Sequence, residues 1–289
     1  MIKKIINKFK NRSADLKYFS WILRNGYSLK GFSLFSFLLF WILYPIPRLL
    51  YGETKASDIS RNIIKRFMKG NLIVPLPLKN PSPYYMGINE IGAFDAFREV
   101  CINDHYNYSQ LKPGMVCVDG GAHVGTFTLL ASLRIGPEGK VIAVEPEAKN
   151  FAQLVKNLEL NKVKNVIPKN IALSDFNGEE KFFIDRGAGC HSFLPQKSSI
   201  KEIKVEAKTL DNLLRELNIK KVDMFKIDTE GAELKILKGA RETLLRNPQM
   251  KMVIASYHYP EEAAEVVKYL KELNFSPKTI PGAFTLVVV

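Results

Sequence analysis

The chain is expected to fold as an α/β protein, with a mostly parallel, doubly wound sheet whose last strand is antiparallel, preceded by a helical, hydrophobic appendage. Three observations predict this. In the C-terminal two thirds, apolar runs of strand length alternate with helix-periodic segments, which means a parallel sheet covered on both faces. The run that ends at Asp119 passes through glycines into helix-forming residues, the strand–turn–helix unit that usually holds a nucleotide-like ligand. The last two strand-like runs are joined by Pro281-Gly282 with no helix between them, and so tight a turn permits only an antiparallel neighbour.

The elements follow in order. Residues 2–24 place Ile2, Ile5, Ile6 and Phe9 on one helical face, with lysines elsewhere. Residues 31–47, "GFSLFSFLLFWILYPIP", carry no charge and are bounded by Lys30 and Arg48. "SDISRNIIKRFMKG" then reads as a capped basic amphipathic helix with Ile59, Ile63, Ile64 and Phe67 on one side. "VPLPLKNPSP", residues 74–83, carries Pro75, Pro77, Pro81 and Pro83 and reads as a stiff extended linker. The expected organisation is an appendage at 1–73, a linker at 74–83 and a catalytic domain at 84–289. Its strands are "MVCVDGG", "VIAVEP", "VIPKNIAL", "VDMFKIDTEG" and "KMVIASY". A helix at "EAKNFAQLVKNLELN" has Phe151, Leu154, Val155 and Leu158 at helical spacing. "EKFFID" and "IKVEAKTL" interrupt the alternation as a hairpin-like insertion. A parallel sheet with an antiparallel last strand is the arrangement of the Rossmann-like methyltransferases.

Charge separates the two parts. The net charge is +13, yet residues 1–80 hold 15 Lys/Arg against three acids, and residues 81–289 hold 27 against 26. A nucleic-acid-binding catalytic domain would carry its own basic excess, so nucleic acid is an unfavoured partner. Basic amphipathic segments beside an aromatic-rich apolar one suggest a membrane surface, with packing on the catalytic domain or a second subunit as the alternative. A cleaved signal peptide fits poorly, because about thirty residues precede the apolar run and no small-residue cleavage site follows. A full span would be short, and Pro45 and Pro47 would break its last turn. Eight Lys/Arg before the segment would hold the N-terminus in the cytoplasm, so a single crossing would export the catalytic domain. A monotopic or re-entrant anchor on the cytoplasmic face is the expectation. Cys101, Cys117 and Cys190 are too widely spaced for a metal-ligand pair and suggest a reducing compartment, with Cys117 buried in its strand. No metal is expected.

The turn "VCVDGGAHVGTFTLL" does not have the dinucleotide spacing, because three residues separate Gly121 from Gly125. Asp119 at the strand end would repel a pyrophosphate but tolerates a cationic aminoacyl-sulfonium. Glu145 closes the next strand, where a carboxylate accepts both hydroxyls of a ribose. Together these favour S-adenosylmethionine over NAD. The second chemical stretch is "KIDTEGAELKILKGA", in which Asp228 and Glu230 follow an apolar strand, where open α/β sheets bind ligands. Helix capping by Asp228 is the bland alternative, which leaves Lys226, two residues earlier on the same side of the sheet, unexplained.

"VDGGAHVGTFTLLAS", "GKVIAVEPEAKNFAQLVKNLELN", "NIALSDFNGEEKFF", "KTLDNLL" and "VDMFKIDTEGAELKILKGA" together resemble the FkbM-type S-adenosylmethionine-dependent methyltransferases over roughly residues 100–289. The resemblance implies a class I methyltransferase fold and, usually, O-methylation of a hydroxyl. The family turn typically reads D-V-G-A-N-x-G; this chain has Gly120 for the valine and His123 for the asparagine. Carried over, Asp119, Gly121, His123 and Gly125 would lie around the amino-acid half of the cofactor, Glu145 at the ribose and Ala172 near the adenine. The strand ending "SYHYP" often carries an acid in relatives, so His258 is a substitute candidate in the site.

An alcohol acceptor must lose its proton as the new bond forms, and Asp228, Glu230 and His258 are the candidates. His191, in the "GAGCHSF" loop, is a more remote one, and His105 has no evident partner in the sequence. Three readings remain open. The leading one is a membrane-surface O-methyltransferase acting on a sugar, lipid or lipid-linked glycan. The others are a nucleic-acid methyltransferase, which would lack the N/D-P-P-Y type motif, and a cofactor-binding module without activity.

Overall fold

Sequence alternation predicts a covered parallel sheet, and the computed structural model, which describes residues 72–75, 85–88, 100–101, 104–185, 199–280 and 286–289, contains one. The chain divides into two compact units, Met1–His105 with Glu159–Asn161, and Tyr106–Leu158 with Lys162–Val289. In the first, β1 (Leu72–Pro75) pairs antiparallel with β2 (Tyr85–Ile88). Val74 and Pro75, read from sequence as the start of a linker, are strand residues opposite Met86 and Tyr85. The expected helices of residues 2–24 and 57–70, the apolar run 31–47 and residues 76–83 lie outside the described residues. Among the described residues no helix is long and apolar enough to cross a membrane.

The second unit is built in chain order from β3 (Val116–Gly120), α1 (Thr126–Ile135), β4 (Lys140–Val144), α2 (Ala148–Leu160, all but its last two residues) and β5 (Val166–Lys169). After these come β6 (Ala172–Leu173), β7 (Gly178–Asp185), β8 (Ser199–Lys208), α3 (Leu210–Glu216) and β9 (Met224–Ile227). The last part comprises α4 (Glu233–Gly239), α5 (Arg241–Arg246), β10 (Lys251–Ala255), α6 (Glu262–Glu272), β11 (Lys278–Ile280) and β12 (Leu286–Val288). The main sheet has the order β11-β12-β10-β9-β3-β4-β5. β5, β4, β3, β9 and β10 run parallel, whereas β12 is antiparallel to both β10 and β11. The sheet read from the sequence, mostly parallel with a reversed last strand, is therefore the one observed.

Strands covered on both faces cannot alternate polar and apolar residues, and they do not. Every residue of β9 is buried, and in β3 and β4 only the first is not. Val118, Ile142, Phe225 and Ile254 are fully enclosed at the centre of one core cluster. The helix expected from "EAKNFAQLVKNLELN" forms, with Leu154 and Leu158 buried and Phe151 and Val155 half-buried.

The run "VIPKNIAL", read as one strand, is two. β5 ends at Lys169, and after Asn170 the chain enters β6, which belongs to a separate sheet of order β6-β8-β7. β7 and β8, the expected insertion, pair antiparallel, while β6 lies parallel to β8. Residues 186–198, with Cys190 and His191, lie outside the described residues.

Candidate functional site

The strand order reverses direction between β3 and β9, since the chain builds outward from β3 through β4 to β5 and then returns to add β9 and β10 on the other side. Ligands of open α/β sheets bind at the carboxyl ends of strands at such a point. The two stretches singled out from sequence meet there. Gly121 has φ +76°, and a Cβ on it would stand 1.9 Å from the Asp228 carbonyl oxygen, so the turn after β3 can lie against the end of β9 only with glycine at that position. Gly125 has φ +92°, and a Cβ there would meet the Leu154 side chain at 2.5 Å, which ties the start of α1 to α2. Protein atoms thus fill the space that both glycines leave.

Four backbone donors of this turn are also engaged. Gly121 N–H and Ala122 N–H donate to the Val144 carbonyl, Gly125 N–H to Ala122, and His123 N–H to Glu145 Oε2 at 2.8 Å. A phosphate-cradling turn needs such donors directed at the ligand. This arrangement disfavours a pyrophosphate on grounds independent of the glycine spacing.

Asp119 is corrected by the structure. Expected beside a cofactor's amino-acid half, its carboxylate is fully buried, 3.0 Å from Lys226 Nζ, and accepts a hydrogen bond from Thr128 Oγ1 at 2.5 Å. The two residues face each other because Asp119 and Lys226 are register partners in the β3–β9 pair. Lys226 Nζ also donates to the carbonyls of Gly120 and Gly121, and it lies 5.3 Å from the centre of the Tyr106 ring. Burial pulls its pKa down, but Asp119 and Asp228 outweigh that and hold it above the ordinary lysine value. The lysine that capping left unexplained is the cation that binds the turn to β9. With Asp119 neutralised in this way, its charge no longer argues against a pyrophosphate; the engaged donors do.

Glu145 stands at the carboxyl end of β4 and is 5% exposed. Its Oε2 accepts from His123 N–H, and its Oε1 accepts from Glu147 N–H at 2.9 Å. A carboxylate has about four acceptor positions, so two remain for a diol. Burial raises its pKa, and the neighbouring His123 partly offsets the rise. His123 itself adopts φ +52°, which turns its backbone N–H onto this carboxylate. Ala172 is a second correction. It is 1% exposed in β6, paired with Ala207, and offers almost no surface to an adenine. The residue that follows β5 is Asn170, whose Nδ2 donates to the carbonyls of Glu145 and Pro146.

At the end of β9, Asp228 Oδ2 accepts a 2.6 Å hydrogen bond from the Tyr106 hydroxyl, while Oδ1 is buried and makes none. The capping alternative for Asp228 does not hold, since α4 is preceded by Ala232 with no side-chain cap. The turn is held instead by Glu233, which accepts from the backbone N–H groups of Thr229 and Gly231 and from the Thr229 hydroxyl. Glu230 sits in that turn at φ +57°.

His258, from the end of β10, joins these acids. Its Nδ1 lies 3.1 Å from Glu262 Oε2 and 3.5 Å from Glu233 Oε2, and its Nε2 lies 3.5 Å from Glu230 Oε2 and 3.8 Å from Asp228 Oδ1. Burial alone would lower the imidazole pKa. The hydrogen bonds and charges of Glu233 and Glu262, with the charge of Glu230, outweigh it and raise the pKa to about 11. A proton held that firmly makes His258 a weaker candidate base than Asp228 or Glu230.

The structure brings together Gly121, His123, Gly125, Glu145, Asp228, Glu230 and His258 in the second unit. His191 lies outside the described residues, and His105 belongs to the first unit. Tyr106, Glu233, Glu262 and Asn170 were not anticipated. Tyr106 precedes the first strand of the sheet by ten residues and has no periodic or motif context, so nothing in the sequence directs it to Asp228. Glu262 carried a faint signal, four residues after His258 and on the first turn of a helix.

The chain is similar to several known proteins. Residues 119–277 match the family model described as the Methyltransferase FkbM domain. Methyltransferase sdnD of Sordaria araneosa is 27% identical over 197 residues, 56% of this chain and 76% of that protein. Hexuronic acid methyltransferase AglP of Haloferax volcanii is 29% identical over 161 residues, 55% of this chain and 62% of that protein. The solved Methyltransferase FkbM from Methylobacillus flagellatus superimposes with a TM-score of 0.48 at 17% identity, covering 67% of this chain and 52% of that one. The chain thus spans about half the length of that solved structure.

Proposed function

The chain belongs to the FkbM methyltransferase family, and we propose that it methylates a hydroxyl of a sugar, lipid or lipid-linked glycan at the cytoplasmic face of a membrane. Its cofactor is S-adenosylmethionine, which supplies an activated methyl on a sulfonium leaving group. The observation that carries the reading is Asp228, a carboxylate with one oxygen taken by Tyr106 and the other making no hydrogen bond, set against the Gly121 turn at the strand crossover.

The residues fit the cofactor. Glu145 keeps two acceptor positions for the ribose hydroxyls, and the N–H groups of Gly121, Ala122, His123 and Gly125 are taken by protein acceptors. The Tyr106 hydroxyl takes Oδ2 of Asp228 and leaves Oδ1 without a hydrogen bond, so an acceptor O–H that reaches it can donate to it. As the acceptor oxygen takes the methyl, its proton passes to this carboxylate. Glu230 is the other candidate for that proton. The role of the fold is alignment, holding acceptor oxygen and methyl in line.

A sugar acceptor draws support from the relative named as a hexuronic acid methyltransferase. The membrane part rests on charge and composition alone: 15 Lys/Arg against three acids in residues 1–80, interrupted by the uncharged run 31–47. The test is methyl transfer from labelled cofactor to a native membrane extract by the full chain. Label in the lipid or glycan fraction supports the proposal; label in RNA, or in nothing, removes it.

A further inference from the structure

Three side chains, Asp228, Glu230 and His258, converge at the carboxyl ends of β9 and β10. His258 Nε2 lies 3.5 Å from Glu230 Oε2 and 3.8 Å from Asp228 Oδ1, and neither Nε2 nor Asp228 Oδ1 makes a hydrogen bond. The His258 side chain is only 5% exposed, so its nitrogen is a buried polar atom directed into a cluster of oxygens. Buried polar atoms without hydrogen bonds are rare enough to require a cause.

We infer that Asp228, Glu230 and His258 bind a divalent cation of the Mn²⁺ class. Their three donor atoms lie within 4.8 Å of one another. Donors around an ion at about 2.1 Å stand roughly 3.0–3.4 Å apart, so small rotations of the two carboxylates close the shell. The surroundings are those of a ligating set. A metal-bound histidine almost always donates its other ring N–H to a carboxylate, which fixes the ring, and His258 Nδ1 has Glu262 Oε2 at 3.1 Å. The Tyr106 hydroxyl occupies Asp228 Oδ2 and leaves Oδ1 toward the cluster. Glu233 holds the Glu230 turn by accepting from Thr229 and Gly231.

Electrostatics point the same way. Four carboxylates lie within 3.8 Å of one imidazole, an excess of negative charge that favours a cation among them. A second grouping of Glu233, His258 and Glu262 is also close enough to hold an ion. Glu233 and Glu262 are fully buried, so an ion there would have no open position, and their role is to orient the histidine. One imidazole with two carboxylates suits Mn²⁺ better than the oxygen-only preference of Ca²⁺ or the thiolate preference of softer metals. Three protein donors leave about three positions of an octahedral ion open. The acceptor class that uses them has two neighbouring oxygens, such as the vicinal diol of a sugar. This last step rests on the proposed function, because it takes the same strand ends as the acceptor site.

The full chain, stripped with a chelator, is titrated with MnCl₂ and followed by loss of the free-ion EPR signal and by calorimetry. One Mn²⁺ per chain is expected, with Ca²⁺ a poor competitor. Glu230→Gln, which changes a half-exposed side chain, should weaken binding at least tenfold, and Glu262→Gln by about 10–100-fold. S-adenosylmethionine affinity, measured separately on the same proteins, should stay within about twofold. A stripped chain that binds S-adenosylmethionine but no Mn²⁺ overturns the ion site alone. Binding of Mn²⁺ that both variants leave unchanged overturns it as well, because the ion is then held elsewhere. Mn²⁺ bound without S-adenosylmethionine leaves the ion site standing and removes the methyltransferase reading.

Discussion

Asp228 and Glu145 have side chains of the same chemistry and different surroundings, which separates their expected roles. Both oxygens of Glu145 hold backbone N–H groups, and its remaining acceptor positions suit a ribose. Hydrogen bonds to a charged acceptor are worth about 1.5–3 kcal/mol each, so Glu145→Ala should weaken S-adenosylmethionine binding on the order of 10²-fold or more in calorimetry. An unchanged affinity would remove Glu145 from the cofactor site. Asp228→Asn keeps the shape and the Tyr106 contact but removes basicity. A general base contributes about 10²–10⁴-fold, so the turnover rate should fall by that range while cofactor affinity barely moves. If Glu230→Gln is the dead variant and Asp228→Asn is nearly active, the base is Glu230. The acids were legible in the sequence because they follow an apolar strand; Tyr106, which orients Asp228, was not, because its contact spans 122 positions.

Between elements, the main coupling is the Asp119–Lys226 pair across β3 and β9. Both side chains are buried, and removing one partner leaves the other as an uncompensated charge, at a cost of about 3–5 kcal/mol. Lys226→Met should lower the melting temperature sharply, and adding Asp119→Asn should recover much of the loss. Additive losses in the double variant would mean that the pair is not the linkage. Gly121→Ala tests the same junction sterically, since its Cβ would fall on the Asp228 carbonyl in a left-handed backbone. It should impair folding and cofactor binding together, whereas a stable, active variant would show that the turn has room to move. The strand–turn–helix unit was readable because apolar run, glycines and helix formers are contiguous. The division of "VIPKNIAL" between two sheets was not, because the partners of β6 lie in β8, more than thirty residues later.

At the scale of the whole chain, the charge asymmetry makes a claim that depends on no contact in the structure. Full-length protein should sediment with anionic vesicles. Each Lys or Arg near such a surface is worth about 1 kcal/mol and fades within a Debye length, whereas inserted aromatics add a part that salt does not touch. High salt should therefore weaken the association without abolishing it. Complete release by salt would make the contact purely electrostatic, and no sedimentation at all would favour packing against another subunit.

The sequence by itself determined the class of the fold, the antiparallel last strand, the glycine-rich turn, the carboxylate at the end of β4 and the acids after β9. Each is written in neighbouring residues, as periodicity, as a turn or as a strand end, so local chemistry is enough to read it. Only the tertiary structure decided what those residues face. It gave Asp119 to Lys226, enclosed Ala172, and surrounded His258 with four carboxylates. Charge and burial at a side chain depend on partners that strand order brings from far along the chain, and the pattern of nearby residues carries no record of them.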